Sequence, residues 1–128
     1  MSGNPRFLYC NTCKNMMGFI RDSTITPVCC GVKMMELVPN TVEASVEKHL
    51  PDLAVSGNSM SVAIGSAPHP MEEAHYIPFV YVQTEHGGQR KRLTPGAAPK
   101  AEFSFMGDTP IAAYAYCNLH GLWKTEVK

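Results

Sequence analysis

Two histidines lie close together near the middle of the chain, and the first stands between two prolines. The segment GSAPHPMEEAH covers residues 65–75 and contains His69 and His75. Each proline fixes its own φ and keeps the preceding residue out of the α region. The corner Pro68-His69-Pro70 should therefore be stiff and extended, with its imidazole pointing in a set direction. The pair is typical of metal ligands, with two ordinary loop histidines as the alternative reading.

A cysteine and a histidine near the end of the chain enlarge this group. Cys117 and His120 are separated by two residues and followed by Gly121, a spacing that suits metal ligands at a turn. Zinc seldom takes five protein ligands, and blue copper prefers two histidines, one cysteine and a weak axial group. Nitrogen-rich ligation with one thiolate and a free position instead favours ferrous iron that meets a small oxygen species. The candidate ligands are His49, His69, His75, His120 and Cys117.

Four further cysteines near the start of the chain form a second candidate site. They are Cys10, Cys13, Cys29 and Cys30. Four thiolates suit zinc or a single iron. Most zinc ribbons repeat Cys-x-x-Cys, so the adjacent pair Cys29-Cys30 favours mononuclear iron. Zinc and a strained vicinal disulfide are the alternatives.

The composition indicates which partners and which cellular compartment to expect for the protein. Lys plus Arg and Asp plus Glu number 11 each in 128 residues, which gives no field that favours nucleic acid or an anionic membrane. No apolar run approaches the roughly 18 residues that a membrane helix needs, and no leader-like segment is visible. The cysteine spacing differs from a secreted disulfide framework. We therefore expect a cytoplasmic protein without nucleic-acid or membrane partners.

The pattern of short β-prone segments predicts an all-β protein in two units, residues 1–37 and 38–128. The first unit is too small to bury much apolar surface, so a metal would be the reason that it folds. In the second, short strands and turn signals indicate a Greek-key, immunoglobulin-like sandwich. Residues 42–48 have the pattern for a turn or two of helix. The predicted strands are 7–9, 18–20, 26–28, 59–64, 76–84, 89–93, 101–105 and 111–116.

Taken together, the motifs resemble desulfoferrodoxin, the two-iron class of superoxide reductase, over essentially the whole chain. Its second domain is related to neelaredoxin. The matching pieces are Cys10-x-x-Cys13 with Cys29-Cys30-Gly31, Glu47-Lys48-His49-x-Pro51, Gly65-Ser66-x-Pro68-His69-Pro70 with the run to Ile77, and Cys117-Asn118-x-His120-Gly121-x-Trp123.

The resemblance implies a desulforedoxin-like N-terminal domain with a tetrathiolate iron, followed by a sandwich that carries the reactive iron. In that iron site the four histidines would be equatorial, Cys117 axial and the sixth position open. The expected activity is one-electron reduction of superoxide to hydrogen peroxide. Lys48 would attract superoxide and hold a water that delivers protons, and Glu47 would take the sixth position once peroxide has left. Lys14 departs from the glycine that rubredoxin-like turns usually carry.

The family further implies a rubredoxin-like electron donor and a homodimer. Two other functions stay open on the residues alone. One is a non-catalytic electron-transfer protein with two irons, and the other is a zinc-stabilised binding module on a sandwich scaffold. Glu72 and Glu73 are predicted to be solvated, and Trp123 is predicted to pack near the site.

Overall fold

The computed structural model of the protein describes residues 4–44 and 46–128. The described chain divides into two compact units, residues 4–38 and Pro39–Lys128. Both consist of antiparallel β-strands, and one short helix, α1 (Val46–His49), belongs to the second unit. The described part of the chain contains no helix long and apolar enough to cross a membrane.

The first unit is a pair of small sheets around the cysteines. Its strands are β1 (Phe7–Tyr9), β2 (Met16–Gly18), β3 (Val28–Cys29), β4 (Val32–Lys33) and β5 (Met35–Leu37). One sheet has the order β2-β1-β5, and β3 pairs with β4 in a hairpin. Leu8, Cys10 and Met34 form a small buried cluster, and Phe7 is buried as well. So little apolar burial agrees with the expectation that metal ligation is needed for this unit to fold.

The second unit is a seven-stranded sandwich. Its strands are β6 (Pro51–Ser56), β7 (Ser59–Ile64), β8 (Phe79–Thr84), β9 (Gly87–Arg92), β10 (Lys100–Ser104), β11 (Pro110–Cys117) and β12 (Gly121–Glu126). The two sheets have the orders β10-β7-β6 and β12-β11-β8-β9. Buried side chains of both sheets meet in one core, among them Val62 and Phe103 from one sheet and Val80 and Ala115 from the other. The predicted all-β fold with an immunoglobulin-like sandwich is confirmed.

Several predicted element boundaries differ from the structure, and the helix predicted at 42–48 lies at Val46–His49. The strand predicted at 18–20 lies at Met16–Gly18, and the strand predicted from 76 begins only at Phe79. Tyr76 does not extend β8 because its N–H donates to the side chain of Asn118, 2.9 Å away. Strands β4, β5, β6 and β12 were not predicted.

Candidate metal centres

The four-cysteine cluster is assembled by two tight turns in the first unit. Its four sulfur atoms lie within 4.8 Å of one another, and those of Cys13 and Cys29 are 3.4 Å apart. The hairpin between β3 and β4 has a two-residue loop, Cys30-Gly31, with φ of 52° and 76°. Positive φ at both loop residues is the requirement of a type I′ turn. That turn explains how adjacent cysteines can serve one site, since Cys29 ends a strand while Cys30 occupies the turn.

The pKa values of these thiols indicate that the cluster needs a cation to ionise fully. The backbone N–H of Cys13 lies 3.5 Å from the sulfur of Cys10 and lowers the pKa of Cys10 to about 6. The neighbouring thiols, that of Cys13 first, raise the pKa of Cys29 to about 12. Four thiolates so close together repel one another, so all of them ionise only when a metal ion neutralises them. The donor set therefore fits a thiolate-bound metal.

The second cluster brings together residues from four separate parts of the second unit. One ligand atom each from His49, His69, His75 and Cys117 lie within 4.8 Å of one another. His120 lies beside them, with its Nδ1 3.2 Å from Nε2 of His49 and 3.7 Å from the sulfur of Cys117. The residues predicted from the sequence for this site are thus neighbours in space.

The four imidazoles form a closed ring. Successive centroids are 4.7 Å apart for His49 and His69, 4.7 Å for His69 and His75, 5.1 Å for His75 and His120, and 4.9 Å for His120 and His49. Each ring is inclined to the next by 73° to 84°. No continuous element provides them, because His49 ends α1, His69 and His75 lie between β7 and β8, and His120 lies in the turn between β11 and β12.

Two nitrogen atoms in this group of four imidazoles are suited to bind a metal. Nδ1 of His69 donates to the carbonyl oxygen of Pro70 at 2.7 Å, so its Nε2 carries the lone pair. Nε2 of His69 and Nε2 of His75 are buried without a hydrogen-bond partner. Buried polar atoms nearly always have a partner, and a metal ion would be that partner for both. The residues present therefore fit a metal ion.

Burial sets the charge of these ligands. It lowers the pKa of His69 to about 4, and it also lowers that of His75, to which His120 and then Lys48 contribute in the same direction. Both imidazoles are therefore neutral at pH 7, as metal ligation requires. Burial raises the pKa of the Cys117 thiol, against the effect of the N–H groups of Leu119 and His120. Cys117 accordingly releases a proton when it binds a metal.

Trp123 supports two of the histidines from behind. The indole is buried and stacks on His49 with a centroid distance of 5.0 Å and an interplanar angle of 24°. Its Nε1–H donates to the carbonyl oxygen of His120 at 3.1 Å. Trp123 therefore packs next to the site, as expected, and also fixes the turn that carries His120.

Helix α1 is held by the loop that precedes His69. The carbonyl oxygen of Glu47 accepts hydrogen bonds from the N–H of Ala67 at 3.1 Å and from the hydroxyl of Ser66 at 3.2 Å. Gly65 has φ of +84°, and a Cβ built on it would lie 2.6 Å from the carbonyl oxygen of Lys48. The side chains of Glu47 and Lys48 are exposed, and the charge of Lys48 acts on His75. The same loop thus fixes the helix that carries them and leads into His69.

Comparison with known proteins agrees with this pair of sites. The sequence model of the family described as Desulfoferrodoxin matches residues 41–126. The chain belongs to the desulfoferrodoxin family. A desulfoferrodoxin homolog of Archaeoglobus fulgidus is 41% identical over 116 residues, which cover 91% of this chain and 92% of that protein.

Other relatives also match this chain over most of its length. The desulfoferrodoxin of Nitratidesulfovibrio vulgaris is 38% identical over 117 residues, or 91% of this chain and 92% of that one. The crystal structure of the superoxide reductase from Treponema pallidum matches with a TM-score of 0.82 and 31% identity. That match covers 97% of this chain and 100% of the other.

Desulfoferrodoxins bind two iron centres, and this chain has a ligand group for each. The four-cysteine cluster and the group of three histidines and Cys117 are those two sites. Iron, which the cysteine spacing had favoured over zinc, is therefore the metal of both sites.

Several polar residues lie outside both desulfoferrodoxin metal sites. Glu72 and Glu73 are exposed, and the backbone of Glu72 exchanges two hydrogen bonds of 3.0 Å with that of His75. His86, which the sequence left without cluster partners, lies 3.1 Å from Asp108 on the surface. The charge of Glu72 nevertheless acts on His75, where it opposes the lowering of the pKa by burial.

Proposed function

We propose that the protein is a superoxide reductase, which converts superoxide, one electron and two protons to hydrogen peroxide. The observation that carries this proposal is the cluster of imidazoles and one thiol, in which two Nε2 atoms are buried without a hydrogen-bond partner. Family membership and the likeness to the Treponema pallidum enzyme support it. A superoxide reductase of Pyrococcus horikoshii is also 34% identical over 101 residues, which cover 64% of this chain and 87% of that protein.

We propose that five residues hold the reactive iron: His49, His69, His75, His120 and Cys117. The proximity of Nδ1 of His120 to Nε2 of His49 and to the sulfur of Cys117 favours its inclusion. Ferrous iron bound there would supply the electron. The chain would contribute four imidazole nitrogen donors and one thiolate that gives electron density to the metal.

Lys48 is proposed to attract superoxide and to hold the water that delivers protons. The chain has no net charge, so only a local cation can steer an anionic substrate to the site. We expect Lys48→Ala to slow the reaction with superoxide about tenfold at low ionic strength, and to flatten its salt dependence. Pulse radiolysis at several salt concentrations measures both. Lys100→Ala, which removes an exposed lysine on β10, is the control, and an unchanged rate in Lys48→Ala would remove Lys48 from the mechanism.

Glu47 is proposed to bind the oxidised site once peroxide has left. Glu47 lies on the same short helix as His49. Hydrogen bonds from Ala67 and Ser66 to its carbonyl oxygen fix its backbone. We expect Glu47→Ala to change the absorption spectrum of the ferric protein, while Glu102→Ala, at an exposed position on β10, leaves it as in the wild type. Identical spectra for all three proteins would count against ligation by Glu47.

The stoichiometry of the reaction tests the proposed activity. A reductase yields one hydrogen peroxide per superoxide consumed and releases no dioxygen, provided that an electron donor is supplied. Dismutation would give half that peroxide and would release dioxygen. A pure electron-transfer protein would be oxidised by its redox partner but would not accelerate the loss of superoxide. Either of the last two results would refute the proposal.

On family membership alone, we also propose a rubredoxin-like electron donor, a homodimeric, cytoplasmic protein, and domains of residues 1–37 and 38–128. Mixing reduced rubredoxin with the ferric protein and following its reoxidation tests the donor. Sedimentation analysis tests the dimer.

A further inference from the structure

Asn118 connects two parts of the second metal site that are far apart in sequence. It lies between Cys117 and His120, in the turn from β11 to β12. Its side-chain Oδ1 accepts a hydrogen bond from the N–H of Tyr76 at 2.9 Å, and its Nδ2 donates to the carbonyl oxygen of Ala74 at 3.0 Å. Its own N–H donates to the carbonyl oxygen of Tyr76 at 3.2 Å.

All three bonds end on the two residues that flank His75. A side-chain amide offers donors and an acceptor in one plane, so it can bond to two backbone groups at once. Here it bonds to one residue before His75 and one after it. The loop of His75 is also closed by the two backbone bonds between Glu72 and His75. The position of His75 relative to the turn that carries Cys117 and His120 is therefore fixed mainly through Asn118.

We propose that Asn118 is a positioning residue, which locks the turn of Cys117 and His120 to the loop of His75 before the metal arrives. Three of the five candidate ligands would then be in mutual register in the metal-free protein. Preorganisation of this kind strengthens binding, because the cost of ordering the loops is no longer part of the binding step. The other two ligands, His49 and His69, are connected separately through the loop of Gly65 and Ser66.

The chain contains a matched control in Asn40. Its Oδ1 accepts from the N–H of Lys124 at 2.9 Å, its Nδ2 donates to the carbonyl oxygen of Lys124 at 3.1 Å, and its own N–H donates to Leu122 at 3.0 Å. Asn40 thus makes the same three kinds of bond as Asn118, but its partners flank Trp123 rather than His75. A loss of hydrogen bonding at Asn40 should weaken the fold without loosening the loop of His75.

The test compares Asn118→Asp with Asn40→Asp in the full chain. Aspartate keeps the acceptor oxygen but replaces the amide donor with an oxygen that faces a carbonyl group. Cobalt(II) is added to each metal-free protein in competition with a chelator, and binding is followed by the hyperfine-shifted imidazole N–H resonances. Only the histidine site can produce these resonances, so the four-cysteine cluster does not interfere.

We expect Asn118→Asp to lower the cobalt affinity of the histidine site by about tenfold or more and to shift its imidazole resonances. Asn40 is linked to the site through Trp123, so Asn40→Asp should leave the resonance of His75 in place and lower the affinity less than Asn118→Asp does. Unchanged binding in Asn118→Asp, or an equal loss in both variants, would overturn the proposal. Because the test measures metal binding, it can succeed or fail independently of superoxide reductase activity.

Hydrogen exchange in the metal-free wild type provides a second measurement that needs no variant. If the turn and the loop are locked in advance, the amides of Tyr76 and Asn118 exchange slowly without metal. Exchange at the rate of an unprotected amide would show that the metal, rather than Asn118, orders this part of the site. This measurement decides the question even if Asn118→Asp does not fold.

Discussion

Replacing Cys117 with serine is expected to lower the rate of superoxide reduction by about 100-fold or more. Substitutions that only disturb the residues behind metal ligands already cost ~10–100-fold in affinity or activity, so loss of the single thiolate should cost at least as much. Serine keeps the size of the buried side chain but does not ionise at neutral pH. The second site then has only neutral donors, and iron there loses the electron density that a thiolate provides.

Pulse radiolysis gives the rate, and metal analysis with absorption spectra gives the occupancy of each site. The four-cysteine cluster is an internal reference, because its sulfur-to-iron absorption should persist in the variant. His86→Ala, at an exposed histidine that pairs with Asp108, is the matched control and should behave as the wild type. A Cys117→Ser protein that keeps both the wild-type rate and the thiolate absorption of the second site would show that Cys117 is not a ligand.

The members of the two clusters could be predicted from the sequence because cysteine and histidine are distinctive in type and spacing. Cys117 and His120 are local neighbours, as are Cys10 and Cys13, and local spacing is visible in a sequence. The proline on each side of His69 was also informative, since Nδ1 of His69 bonds to the carbonyl oxygen of Pro70. The alternation of residues 59–64 likewise predicted β7 with its bounds.

The arrangement of the site could not be predicted in the same way. The closed ring of imidazoles depends on contacts between residues up to 71 positions apart, such as His49 and His120. A contact between residues so far apart produces no periodic pattern in the sequence. Asn118 was noticed only as part of a motif, because its partners lie 42 and 44 positions away. Strand β12 was missed because residues 121–126 lack a clear alternation, and their pairing with β11 supplies the order instead.

Gly65→Ala is expected to destabilise the second unit by roughly 2–5 kcal/mol. Positive φ costs an alanine about 1–2 kcal/mol, and the clash of its Cβ adds about 1–3 kcal/mol. The clash is with backbone atoms, the carbonyl oxygens of Ala67 and Lys48, which cannot move aside as a flexible side chain can. Urea unfolding followed by the fluorescence of Trp123, the single tryptophan, reports on this unit.

Gly96→Ala separates the two causes of that loss. Gly96 has φ of +90°, close to that of Gly65, but a Cβ there would meet no atom within 4 Å. Its substitution should therefore cost only the ~1–2 kcal/mol of the backbone conformation. Equal losses of unfolding free energy in the two variants would show that the backbone of α1 at Lys48 moves aside without cost. A larger loss at Gly65, together with weaker metal binding through His49, would establish that the close approach of Gly65 to Lys48 holds α1 against the ring of histidines.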